Sequence, residues 1–221
     1  MSCILNIETS TSVCSVALSM DGEVLFAKAS FDGPSHAALL GVFVEEALSV
    51  LKKKGKKALD AVAVSSGPGS YTGLRIGVSV AKGLCFGFGI PLIGIHTLDI
   101  MAATVNSKGD SQIVSITDDC LYCAMLDARR MEVYAAIYDA SLKPVRETKA
   151  DIAEVGTYAS YLEKGKVCFF GNGASKCKSV ITSPNAIFIE DIHPLAVNMI
   201  PLSEQAFAAG KFEDTAYFEP F

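Results

Sequence analysis

The stretch most capable of chemistry runs Val64-Ser65-Ser66-Gly67-Pro68-Gly69-Ser70-Tyr71-Thr72-Gly73-Leu74-Arg75-Ile76-Gly77 and continues to Ala81-Lys82-Gly83-Leu84. A glycine-proline loop between a buried strand and a helix brings backbone close to a phosphate, another helix or a partner. Three phosphate and nucleophile motifs fail on it. A Walker loop needs a lysine where Arg75 stands, and Pro68 removes an amide donor. A dinucleotide loop fits Gly67 and Gly69 but meets Thr72 at its last glycine. A nucleophile elbow needs its serine one place later than Ser70. Gly73, Gly77 and Ala81 repeat at i, i+4 and i+8 and make one smooth helix face. Each interior glycine costs about 1 kcal/mol relative to alanine. Such a stripe implies close approach by another backbone, either a second helix or the helix's own sheet.

Other chemistry-bearing residues group poorly. The seven cysteines are an odd number without an export signal, which fits a reducing compartment. Cys120-Leu121-Tyr122-Cys123 is a single C-x-x-C, and Cys168 with Cys177 has the wrong spacing for its zinc partner. His36, His96 and His193 lie far apart, so no metal or catalytic set is expected. The start, Met1-Ser2-Cys3-Ile4, lacks a basic region, so no signal peptide is expected. The chain carries a net charge of −5, which argues against autonomous nucleic-acid binding. Lys52, Lys53, Lys54, Lys56 and Lys57, where a helix ends at Gly55, read as a solvated helix terminus. Half of the 221 residues are hydrophobic and 19% are charged, against about 25% in typical soluble domains. The deficit hints at a buried surface beyond one core. The longest uncharged run, between Lys82 and Asp99, is broken by glycines and Pro91 and falls short of the ~20 apolar residues of a membrane span.

The elements that must position these residues form two series. Strands are expected at Cys3 to Glu8, Val13 to Ser19 and Glu23 to Ser30, the last two joined by Asp21-Gly22. A helix capped by Ser35 follows, with Leu40, Val44, Ala47, Leu48 and Leu51 on one face. Then come the strand Leu59 to Ser65, the glycine helix and the strand Pro91 to Ile95. Thr97 to Asn106 reads as a helix crossing to a second lobe, with the boundary at Ser107 to Asp110. The domains are therefore expected at 1–106 and 107–221, with the last helix free to pack back toward the first lobe. In the second half Ile113 to Thr117 is a strand or an ordered loop. Strands at Tyr122 to Leu126, Glu132 to Tyr138 and Pro144 to Ala150 precede a helix at Ile152 to Leu162. A strand at Val167 to Phe170, a helix at Ala174 to Val180 and a strand at Ala186 to Ile189 follow. A last helix, about Pro194 to Ala209, is broken or kinked at Pro201. Both halves read βββαβαβ, the second more weakly. The fold class is α/β, the two-lobed actin-like or Hsp70-like (ASKHA) arrangement with a reduced second lobe.

The motif Ser66 to Gly77, with Ala81-Lys82-Gly83-Leu84 and Pro91-Leu92-Ile93-Gly94-Ile95, strongly resembles the TsaB (YeaZ) family. So do Asn6-Ile7-Glu8-Thr9-Ser10-Thr11, Ser35-His36-Ala37-Ala38-Leu39-Leu40 and Leu126-Asp127-Ala128-Arg129-Arg130-Met131-Glu132-Val133-Tyr134. The likeness covers the first 140 residues and thins to Gly171-Asn172-Gly173 and Ala216-Tyr217-Phe218. The resemblance implies a cytoplasmic, non-catalytic scaffold for the N6-threonylcarbamoyl modification of adenosine 37 in ANN-decoding tRNAs. It further implies pairing with the paralogous transferase TsaD, recruitment of the ATPase TsaE, and a homodimer when TsaD is absent. TsaC makes the transferred intermediate, tRNA is reached through the complex, and no membrane is involved. The paralogue's H-x-x-x-H metal motif falls here on Thr97 and Met101, neither of which replaces an imidazole ligand.

The resemblance also implies a partner interface on the helices after Ser35 and Thr72: Leu40, Val44, Ser70, Tyr71, Thr72, Gly73, Arg75, Ile76, Gly77, Val80 and Ala81. Two acidic turns hold metal and phosphate in the superfamily. Here they read Glu8-Thr9-Ser10 and Asp127-Ala128-Arg129, both lacking the usual glycine. Glu8, Thr9, Ser10, Asp127, Arg129, Arg130, Gly171 and Gly173 are thus a vestigial or shared nucleotide site, with Asp127 open to pairing with a nearby arginine. No cofactor is required of this chain, leaving ATP or ADP with magnesium at the partner interface. The rival enzyme is an ATPase or phosphotransferase using Glu8 and Asp127. A glycoprotease-like peptidase needs ligands the sequence lacks.

Overall fold

The computed structural model describes residues 2–33, 35–55, 58–107 and 120–221, with the side chains of 106 and 107 left out. The chain divides by its contacts into Met1–Ile100 with Pro194–Phe221, and Met101–His193.

In the first unit β1 (Cys3–Glu8), β2 (Cys14–Met20) and β3 (Glu23–Ser30) form an antiparallel meander. After α1 (His36–Lys53), β4 (Ala61–Gly67) pairs parallel with β1. After α2 (Tyr71–Phe88), β5 (Leu92–His96) pairs parallel with β4. The sheet order is β3-β2-β1-β4-β5. Alternation assigns each side chain of β1 to one of two cores. Cys3, Leu5 and Ile7 face α1 and α2, joined by Leu40, Val44, Val64, Val78 and Ala81. Ile4 faces the other way, with Ala61, Ala63, Ile93 and residues from 196–200. Burial on both faces is why β1 and β4 read as nearly continuous apolar runs.

The second cover is a 3-10 turn (Ala196–Met199) running into the chain's last helix, Ile200–Ala208. Glu204 on that helix accepts from the Ser2 and Ser19 hydroxyls and from the Gly22 amide, pinning it to the β2–β3 hairpin. Pro201 sits in the helix's first turn, where its missing N–H costs nothing. The expected break at Pro201 is thus a start. The expected domain limit at 106/107 differs from the observed division, which falls inside α3 (Thr97–Ser107); residues 194–221 belong to the first unit, the side toward which the sequence leaves the last helix free to pack.

The second unit repeats the order. β6 (Leu121–Asp127), β7 (Glu132–Tyr138) and β8 (Pro144–Ile152) form the meander; α4 (Ala159–Leu162), β9 (Val167–Phe170), α5 (Ala174–Cys177) and β10 (Ala186–Ile189) complete it; the last helix (Ile200–Ala208) is α6. Its sheet runs β10-β9-β6-β7-β8, the same topology strand for strand. This is the actin-like fold of two βββαβαβ units. The reduction lies in the helices: α4 and α5 have four residues each, against 18 each in α1 and α2. The expected helix from Ile152 is one turn from Ala159, because Ile152 extends β8 opposite Glu132 and Gly156 turns at φ +91°. The helix from Ala174 stops at Cys177 rather than Val180. Residues 108–110 and Ile113 to Thr117 lie outside the described residues.

Candidate functional site

The first acidic turn and the glycine stripe are one structure. A Cβ at Gly73 would overlap the Thr9 carbonyl, one at Gly77 the Thr9 hydroxyl, and one at Gly69 the Ser10 carbonyl. The Thr9 hydroxyl donates to the Gly73 carbonyl at 2.8 Å, and the Ser70 amide donates to the Ser10 carbonyl at 2.6 Å. Ser70 also caps α2, accepting from the Gly73 amide at 3.2 Å. The stripe is therefore a seat for the chain's own turn.

Glu8 closes that turn from below. Its Oε1 accepts from the Ser10 amide at 2.5 Å, while Oε2 is buried without a hydrogen-bond partner among the described residues. Burial outweighs the opposing influence of the Ser10 hydroxyl and amide and of the Ser65 hydroxyl, and raises its pKa from 4.5 to about 7. The hydroxyls of Ser10 and Thr97 are likewise buried without partners among the described residues. With no counter-charge beside it among the described residues, such a carboxyl keeps its proton well above the ordinary carboxylate range.

The second turn is neutralised differently. Asp127 Oδ1 accepts from the Arg129 amide at 2.8 Å and from the Lys176 ammonium, which also donates to the Glu132 carbonyl at 2.6 Å. Burial pushes the Asp127 carboxyl up, but Lys176 and the Arg129 amide outweigh it and hold it below the usual range. The pairing partner is thus a lysine from α5 rather than the expected nearby arginine. Arg129 and Arg130 occupy the left-handed region at φ +73° and +46° on the exposed hairpin tip. Gly171 and Gly173 serve packing. A Cβ at Gly171 would strike Met101 and the Met125 carbonyl, and one at Gly173 would lie 2.8 Å from the Leu126 carbonyl carbon. Asn172 between them accepts from the Asp127 amide at 2.9 Å.

Among the described residues no group of three or more His, Cys, Asp or Glu could hold a metal. His36 bonds the Thr11 carbonyl through Nε2 at 2.8 Å and is buried at the head of α1. The same strand order, turn positions and glycine seat invite comparison with known proteins. A family model described as "TsaD: tRNA N6-adenosine threonylcarbamoyltransferase" matches residues 32–187. The tRNA threonylcarbamoyladenosine biosynthesis protein TsaB of Escherichia coli (strain K12) is 32% identical, over 98% of this chain and 92% of its own. The chain belongs to the TsaB family. TsaB of Buchnera aphidicola subsp. Acyrthosiphon pisum (strain APS) is 27% identical over 93% of each chain. The solved YeaZ of Pseudomonas aeruginosa superposes with a TM-score of 0.78 at 26% identity, covering 100% of this chain and 99% of its own.

The partner-interface residues expected from the TsaB family divide sharply in this structure. Leu40, Val44, Gly73, Gly77 and Ala81 are buried in the first unit's own core. Ser70, Tyr71, Thr72 and Arg75 are exposed, and Ile76 and Val80 are half-buried. Arg75 stacks over the Tyr71 ring at 4.2 Å. Sequence reasoning missed a second small-residue stripe on α2, Ser79-Gly83-Gly87, which faces outward beside Phe86 (89% exposed). Cβ atoms added at Gly41, Gly83 or Gly87 would meet nothing within 4 Å. The signal was present as an i, i+4, i+8 repeat offset from the inward one. Lys176 had no comparable signal, lying 49 residues from Asp127.

Proposed function

We propose that this chain is a non-catalytic scaffold of tRNA threonylcarbamoyladenosine biosynthesis, pairing with the transferase TsaD and recruiting the ATPase TsaE. It pairs with itself when TsaD is absent, and meets tRNA only through the assembly in the cytoplasm. Membership of the TsaB family supports the pathway. No described helix is long and apolar enough to cross a membrane. The observation that carries the non-catalytic reading is that both acidic turns are already occupied from within, the first by burial against the glycine seat and the second by Lys176. Glu8 is buried with its proton, and Asp127 is held by Lys176. A metal-bound nucleotide would have to displace these groups, so ATP or ADP with magnesium is bound, if at all, with residues of the partner.

The partner surface in this proposal is the outward face of α1 and α2: Gly41, Val42, Tyr71, Arg75, Gly83 and Phe86. Interior glycines facing open space lower helix stability with no packing return inside the protomer. A second helix approaching closely gives them a use. Gly83→Leu tests it, because the protomer has room for the side chain. The variant should unfold at the same or higher denaturant, by up to about 1 kcal/mol, while its affinity for TsaD falls at least ~10-fold. Undiminished pairing would move the interface elsewhere.

Reconstituted threonylcarbamoyl transfer with TsaD, TsaE and TsaC, with and without this chain, tests the role itself. Activity that depends on the chain and survives Glu8→Gln and Asp127→Asn supports the scaffold. Loss with Asp127→Asn in an intact complex would favour an ATPase or phosphotransferase.

A further inference from the structure

Cys120 and Cys168 lie in the second unit, at the end of β6 opposite to Asp127. β6 and β9 pair in parallel with Leu121 opposite Val167 and Tyr122 opposite Cys168, and the Leu121 amide donates to the Lys166 carbonyl at 3.0 Å. That register places Cys120, just before β6, diagonally next to Cys168 on the same face of the sheet, and the two Sγ atoms are 2.9 Å apart. Cys123 and Cys177 belong to the core on the other face of this sheet, and Cys3, Cys14 and Cys85 to the first unit. The arrangement singles out one pair of the seven cysteines.

We propose that Cys120 and Cys168 form an oxidisable dithiol, a site at which the chain reversibly acquires a disulfide from hydrogen peroxide. The chemistry divides between them. A hydrogen bond from the Cys168 thiol, helped by the nearby Lys166, holds the Cys120 sulfur below the usual thiol range against the effect of burial. Cys168 is pushed up, by that same hydrogen bond first and by burial next. Burial pushes Cys14 and Cys85 up to about 11, which leaves them poor nucleophiles. The Cys120 thiolate attacks a peroxide oxygen: the S–O bond forms, the O–O bond breaks, and the departing hydroxide takes a proton to become water. The Cys168 thiol then attacks the sulfenic sulfur; the S–S bond forms, the S–O bond breaks, and a second water leaves. The two sulfurs lose two electrons and the peroxide gains them. Cys120 is almost fully buried, but it lies just before β6 beside the exposed Lys166, and peroxide is a small, uncharged oxidant.

Peroxide treatment of the native full chain, alkylation of the remaining thiols and peptide mapping without reductant test this directly. The expected result is a Cys120–Cys168 cross-linked peptide lighter by two hydrogens and absent after dithiothreitol. The other five cysteines should be alkylated only after unfolding. The oxidised chain should also melt at a higher temperature, because the closed loop restricts the unfolded state. In Cys168→Ala, which lacks both the resolving thiol and its hydrogen bond, Cys120 should oxidise more slowly and yield a sulfenic acid trapped by dimedone rather than a cross-link. A cross-link to Cys123 or Cys177, sulfinic acid at Cys120 of the unaltered chain without a cross-link, or no reaction would each overturn the proposal. None of these readouts on the unaltered chain depends on the variant folding.

Discussion

The two units carry the same five strands in the same order, yet they dispose of an acidic turn in opposite ways. In the first, long helices seal the sheet and the turn after β1 is pressed into a glycine seat, so Glu8 is buried and keeps its proton. In the second, the equivalent helices are single turns, and Asp127 stays at the surface with Lys176 as its counter-ion. The contrast teaches that topology does not dictate the state of the turn. The depth of the helical cover does, because desolvation removes charge where water is excluded and a counter-ion balances it where water is near.

The most damaging way to break the contrast is to unseat the first turn. Gly77→Leu drives a side chain into the Thr9 hydroxyl, which is buried and donates to the Gly73 carbonyl, with Val64 packed beside it. A loss above about 3 kcal/mol in denaturant unfolding is expected, as for severe overpacking. This substitution unfolds the unit rather than selectively breaking a partner contact, the outcome that the family resemblance implied for Gly77. Equal stability of Gly77→Leu and the unaltered chain would refute the seat.

That reversal shows where the sequence stops being legible. The strands were readable because alternation and turn residues such as Asp21-Gly22 act over short range. The stripe at Gly73, Gly77 and Ala81 announced a close neighbour but could not name it, since Thr9 is 64 residues away. Ile152 looked like the start of a helix because the apolar pattern continues past it; its pairing with Glu132 is tertiary and extends β8 instead. Pro201 was misread because a proline breaks a helix interior and begins a helix equally well. Glu204, which ties the last helix to the first hairpin, reaches Ser2 across 202 residues. Long-range partners of single side chains leave no periodic trace.

A gentler perturbation sharpens the first half of the comparison. Glu8 has its pKa raised from 4.5 to about 7 in the folded chain, so between those values the folded state retains a proton the unfolded state has lost. Stability therefore falls as pH rises from about 4.5 to about 7 and is level above, by an amount on the order of 3 kcal/mol for this group alone. Glu8→Gln is neutral throughout and keeps an oxygen for the Ser10 amide. It should match the unaltered chain at pH 4.5 and exceed it at pH 8 in chemical denaturation. A difference independent of pH would mean that Glu8 is charged in the folded state.

The smallest effect concerns Lys176. Asp127 is about half exposed, so solvent screens the pair and its removal should cost less than about 1 kcal/mol. The sign is opposite to that of Glu8. The carboxyl is held below its ordinary 3.8, so its contribution is present near neutrality and disappears as pH falls below that value. Lys176→Met should shrink this acid-side dependence and leave the alkaline side unchanged. It should also leave the Asp127 carboxylate with the Arg129 amide as its main partner, open to a cation from solution. Weak manganese binding in Lys176→Met, seen by paramagnetic resonance and absent from both the unaltered chain and Lys176→Met/Asp127→Asn, is the expected outcome. Manganese binding of equal strength with Lys176 in place would show that the lysine does not block the turn, and the two units would then differ in burial alone.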